Sequence, residues 1–113
     1  MVHEGVVRHV VGSPEIMRSQ LDRLIDAADS PDIIIQVLAY SASDHPGTDG
    51  PILVFDFASA QSSGYTECNG GGMIVEQPEQ VSGLLTSINL IRAAALSPRE
   101  SRNCIVKIRD EIT

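Results

Sequence analysis

Between residues 33 and 75 four strand-like segments follow one another with no helical pattern between them, while apolar stripes of helical spacing stand on either side. Consecutive strands joined by short connections pair antiparallel, because a parallel pairing needs a crossover of a dozen residues or more. Residues 33–40 are a β-branched run whose near-continuous apolarity predicts burial on both faces, or a central place in a sheet. A polar loop over 41–50 holds Asp44, His45, Pro46 and Gly47, and Pro46-Gly47 is a turn signal. In the next predicted strand, 51–57, Leu53, Phe55 and Phe57 alternate with Ile52, Val54 and Asp56. After a turn of small residues over 60–64, residues 65–68 and 73–75 flank Asn69-Gly70-Gly71-Gly72. Asn-Gly accepts positive φ at both central positions, so this is the strongest hairpin signal in the chain. The further glycines mark a bulge or a close approach to the backbone.

Outside this block, residues 2–11 read as a strand rich in valine. Ser13, Pro14 and Glu15 then supply an N-cap, an N1 proline and a favourable first-turn charge. Met17, Leu21, Leu24, Ile25 and Ala28 continue as one helical stripe. Pro78 opens a second helix with Val81, Leu84, Leu85, Ile88, Ile91 and Ala95 on its apolar face. Ser97, Pro98 and Glu100 form a capping box for a third, faced by Ile105, Ile108 and Ile112. The predicted order is β-α-β-β-β-β-α-α. It implies an α+β fold: a mostly antiparallel sheet of about five strands, a long helix packed on it and two C-terminal helices. The 113 residues suffice for one core, so a single α+β domain over 1–113 is expected.

The net charge of −7 repels a phosphate backbone unless the cations cluster. They do not: Arg18 and Arg23 share their helix with Asp22 and Asp26, and Arg99, Arg102, Lys107 and Arg109 are mixed with Glu100, Asp110 and Glu111. With only Tyr40, Tyr65, Phe55 and Phe57 as aromatic side chains, base stacking is also poorly served. No nucleic-acid partner is expected. No apolar run approaches the ~20 residues that span a bilayer, and the first residues lack a signal-peptide pattern. The expected location is the cytoplasm, with no membrane partner. Cys68 and Cys104 are too few for a disulfide framework and read as free thiols, Cys104 buried on its helix. No metal or cofactor is expected, since two cysteines and three scattered histidines make no ligand set.

No Gly-x-Ser-x-Gly elbow or P-loop occurs, and Gly70–Gly72 is not followed by a helix that would cradle phosphate. Three polar pairs remain. Asp44 beside His45 would suit acid–base work, although neighbours in a loop rarely face each other. Tyr65 and Glu67, two apart on a strand, share a face; at a cavity wall Tyr65 would donate a hydrogen bond and Glu67 act as base, whereas on a solvated face they do neither. His3 and Glu4, adjacent on a strand, point to opposite sides, the plainer reading being a surface strand end. Met17 and Met73 soften a pocket or, more commonly, fill gaps in a core.

Several stretches together resemble one family: Gly12-Ser13-Pro14-Glu15-Ile16-Met17-Arg18-Ser19-Gln20-Leu21, Ile35-Gln36-Val37-Leu38, His45-Pro46-Gly47 with Gly50-Pro51, Tyr65-x-Glu67, Val75 to Val81, and Ile91 to Ser101. In this order they are similar to the C-terminal domain of unknown function in antitoxin-like, XRE-family helix-turn-helix regulators of actinobacteria. Met1 falls about where the helical connector of such a regulator would hand over to this domain. The chain therefore resembles the second half of a regulator without its DNA-binding head, and the family's DNA binding does not carry over. The resemblance implies a sensing or interaction role; family members are often encoded beside a small partner protein and linked to development or secondary metabolism. It supplies no catalytic residues.

Two functions follow as expectations. One is a stand-alone regulatory or sensor-type domain that binds a small hydrophobic ligand or a small protein partner, or forms a homodimer. The other is a small cofactor-free cyclase or isomerase of natural-product biosynthesis, in which an apolar pocket positions the substrate and Tyr65, Glu67 and His45 provide the polar contacts. A deep apolar pocket walled by Tyr65 or Glu67 would favour the enzyme, or at least a ligand sensor. A solid core with an exposed apolar patch would favour the binding domain.

Overall fold

A computed structural model describes all residues, Met1–Thr113. The fold is α+β, with four helices and five strands in two sheets. The chain divides into two compact units: residues 1–43 with 94–113, and residues 44–93.

The first unit opens with β1 (Val2–His3), α1 (Glu4–Arg8) and α2 (Pro14–Ala28), continues to β2 (Val37–Leu38), and is completed by α4 (Pro98–Glu111). Its core gathers Val7, Met17, Leu21, Ile25, Val37, Ile105 and Ile108. Both helix starts behave as their sequences predict. The Ser13 hydroxyl accepts the Ile16 N–H, and Ser97 and Glu100 close a reciprocal capping box. The main partner of α2 is α4 rather than a sheet face. Ion pairs brace the two: Arg102 grips Asp29 through two hydrogen bonds of 2.7 and 3.0 Å, and Arg109 reaches Asp22 at 2.6 Å. Cys104 is half-buried on α4, and burial pushes its thiol pKa up.

Two expectations for this unit are corrected. The strand predicted over 2–11 is only Val2–His3, and a five-residue helix follows. Val6, Val7, Val10 and Val11 fit a helical repeat as well as a strand. The choice is made locally by the His3 Nδ1 accepting the Gly5 N–H, and by Glu4 pairing with Arg8 one turn on. The run over 33–40 pairs only at Val37–Leu38, in parallel with the two-residue β1. Burial is complete there, with Val37 at 0% exposed, whereas Ile34, outside the ladder, is 71% exposed.

The second unit contains a 3-10 turn (Pro46–Asp49), then β3 (Ile52–Phe55), β4 (Ser63–Cys68) and β5 (Gly71–Val75), and α3 (Pro78–Ala94) up to residue 93. The strands form an antiparallel sheet in the order β3-β4-β5. The expected strands are thus present, but divided between this sheet and the short parallel pair rather than joined in one. At the hairpin tip Asn69 keeps a negative φ, and Gly70 and Gly71 take the positive values, +102° and +147°. The Asn-Gly signal marks the right turn with a different residue bearing the left-handed geometry.

Candidate functional site

Register decides what each face of the β3-β4-β5 sheet carries. Val54, Gly64 and Val75 lie in one row across the three strands, and Leu53, Tyr65 and Ile74 in the next. Side chains alternate between faces, so the first row belongs to one face and the second to the other. Gly64 and Val75 are buried, and the space a side chain would need at Gly64 is filled by Leu84 of α3. That face is covered along this row, whereas Met73, two residues before Val75 on the same side of β5, is 63% exposed. On the opposite face Leu53, Phe55 and Ile74 are 48%, 49% and 70% exposed.

The ring of Tyr65 organises this open face. It lies across β5 over Gly72, occupying the place a side chain there would take. A side chain at 72 would have to displace the Tyr65 ring, so the third glycine of the run marks the close approach to the backbone that the sequence offers beside a bulge. The Tyr65 hydroxyl donates a long hydrogen bond, 3.4 Å, to the Glu67 carboxylate. The sequence placed these two on a common face, and the structure brings them together on an open one. His45 sits elsewhere in the same unit, as the N-cap of the 3-10 turn, where its Nδ1 accepts the Gly47 N–H at 3.0 Å. That turn ends at Gly50, whose φ of +116° lets the backbone close against the Glu67 carbonyl. The turn that His45 caps thus ends close beside the strand bearing Glu67, while the imidazole itself serves the turn.

Nothing in the sequence alone marks Leu53, Phe55 and Ile74 as a site. The alternation over 52–57 shows that Leu53, Phe55 and Phe57 share a face, but the row against α3 is the smaller one, Val54, Gly64 and Val75. A helix packs closest where side chains are small.

A second polar cluster lies in the first unit. The Tyr40 ring meets the His3 imidazole edge to face at 5.3 Å. Glu4 accepts the Tyr40 backbone N–H at 2.8 Å and the Arg8 side chain at 2.7 Å, and these two bonds hold its carboxyl below the ordinary glutamate pKa. His3 and Glu4 are helix-start residues here, not the opposed neighbours of a strand. Each group is engaged by its local partners, and the cluster reads as the brace that starts α1.

A shallow depression on α2 is lined by Glu15, Ile16, Ser19 and Gln20; a single helix forms it, so it has no opposing wall. No three His, Cys, Asp or Glu side chains group as a metal site, and no helix is long and apolar enough to cross a membrane.

A family model described as a domain of unknown function, DUF5753, matches residues 1–107. No curated protein and no solved structure matches the chain.

Proposed function

The chain belongs to the DUF5753 family of domains of unknown function, and we propose that it is a binding domain of regulatory type that docks a protein partner on the open face of β3-β4-β5. The observation that carries this reading is the run of exposed apolar side chains Leu53, Phe55 and Ile74 around Tyr65. A contiguous apolar patch on a folded domain is costly to leave in water and is a common mark of an interaction surface. Burying a fully exposed side chain of this kind returns about 1.5–3 kcal/mol, and these, half to two-thirds exposed, return a corresponding share. A handful of them offsets much of the cost of association, which is on the order of 4–15 kcal/mol. The setting we propose is that of the XRE-type actinobacterial regulators that the sequence resembles, with the partner rather than DNA as the bound species.

The test is native mass spectrometry of the untagged protein isolated from its own host, beside Leu53→Thr/Ile74→Thr. Both positions are exposed strand sites, and threonine keeps their β-propensity. A second polypeptide that accompanies the wild type and is lost from the variant supports the proposal. Association that survives in the variant places the docking surface elsewhere and overturns it.

The Tyr65–Glu67 hydrogen bond favours a second reading, the small cofactor-free cyclase or isomerase. There Tyr65→Phe and Glu67→Gln would each abolish turnover of a substrate found as an adduct in the same spectra. Full turnover by both variants would remove these residues from any catalytic role.

A further inference from the structure

Charge divides unevenly along this chain. Residues 44–93 carry six carboxylates against the single cation Arg92, a net charge of −5 out of the −7 of the whole chain. In the first unit, carboxylates such as Glu4, Asp22 and Asp29 are paired with arginines. No arginine or lysine pairs with Asp56, Glu67, Glu76 or Glu79; Arg92 instead donates to Asn89.

Two of these carboxylates, Glu67 and Glu76, stand at the two ends of the apolar face. Glu67 follows Tyr65 on the same face of β4, at the hairpin end, opposite Gly72. At the other end Phe55 pairs with Ser63, and Gly64 with Val75, so Glu76 follows Ile74 on the open side, while Asp56 alternates to the other side and accepts the Ser62 hydroxyl. From row 63 to row 67 the strand advances roughly 13 Å, at about 3.3 Å per residue. The face is thus an apolar strip with negative charge at each end.

From this arrangement we infer that the occupant of the face is a basic amphipathic segment of a partner protein: apolar side chains seated on Leu53, Phe55, Tyr65 and Ile74, with lysines or arginines meeting the acidic ends. The inference rests on the docking role proposed above and adds the chemistry of the partner. Complementary charge steers encounter and penalises wrong partners. A second copy of this chain would bring the same negative unit against itself, and an anionic membrane or a nucleic acid would be repelled.

The probe is a fluorescent synthetic helix of leucine and lysine, about 18 residues or five turns long, compared with a counterpart bearing glutamate at every lysine position. Binding to the full chain is followed by anisotropy, with thermal melts confirming that each variant is folded. The lysine helix binds the wild type and loses affinity by roughly tenfold or more as salt shortens the screening length from ~10 Å to ~3 Å. It weakens likewise on Glu67→Gln/Glu76→Gln and is lost on Leu53→Thr/Ile74→Thr. Equal binding of both helices overturns the charge inference. So does binding that ignores the Leu53→Thr/Ile74→Thr change, since diffuse attraction alone would then explain it. No binding of either helix, or a homodimer that the face variant dissolves, also overturns it. The docking proposal is judged separately, by whether the natural association survives that same variant.

Discussion

Ser101 is fully buried, and its hydroxyl links three segments of the first unit. Its Oγ accepts the Val37 N–H at 2.8 Å and donates to the Leu96 carbonyl at 3.3 Å, the carbonyl that also receives the Gln36 side-chain amide at 3.0 Å. Ser101→Ala leaves the Val37 N–H buried without that acceptor, and should cost about 1–3 kcal/mol in urea unfolding. A loss within ±0.5 kcal/mol, the range of an ordinary surface change, would show the hydroxyl is dispensable. Glu4 makes a pH prediction of definite sign. Its folded-state pKa is depressed, first by the Tyr40 N–H and then by Arg8. The stability it contributes is therefore complete above the ordinary glutamate pKa of about 4.3 and is lost as pH falls through the folded value. Denaturation measured from neutral to acid pH should show Glu4→Gln least stable relative to wild type near neutrality, the difference shrinking in acid. A difference that is flat with pH would assign the effect to packing.

At the scale of the element, what was legible in the sequence was whatever local chemistry decides. Ser13, Ser97 and Glu100 cap as their spacing requires, and Ser97→Ala should cost about 1 kcal/mol, read by thermal or chemical unfolding. The stripes of α2 and α4 were legible for the same reason: Met17, Leu21, Ile25, Ile105 and Ile108 all reach the core. Misreadings fell where local preference and pairing disagree. Ile33 and Ile34 have strong β-propensity but no strand beside them, because β1 offers only Val2 and His3. Nor could composition show that Gly72 yields its space to Tyr65, since that depends on which strands pair and in what register. The relation is testable by a double-mutant cycle: Gly72→Ala should destabilise the wild type, and much less so in a Tyr65→Ala background. Equal losses in both would mean the ring and the glycine are independent.

For the molecule as a whole, the candidate face was half legible. Strand alternation put Tyr65 with Glu67, and Leu53 with Phe55, yet which face stays open depends on where α3 packs, and Leu84 over Gly64 is a tertiary fact. Burial also separates the two units. The contiguous core belongs wholly to the first, whereas the buried apolar side chains of residues 44–93 are only Val75, Val81 and Ile91. Native-state hydrogen exchange should therefore find the amides of β4 and β5 opening at lower free energy than those of α2 and α4. Uniform protection would indicate one cooperative unit.

That first unit is assembled from the two ends of the sequence, residues 1–43 and 94–113. Synthesis on the ribosome therefore delivers its parts far apart in time. Met17, Leu21 and Ile25 emerge before Ile105 and Ile108 and cannot meet them until residues 105–108 are translated. The β3-β4-β5 hairpins, whose pairings are all internal to residues 44–93, can close while the chain is still growing. The nascent protein thus passes through an interval in which the surface proposed to recognise a partner can already form, while the larger core is still waiting for α4.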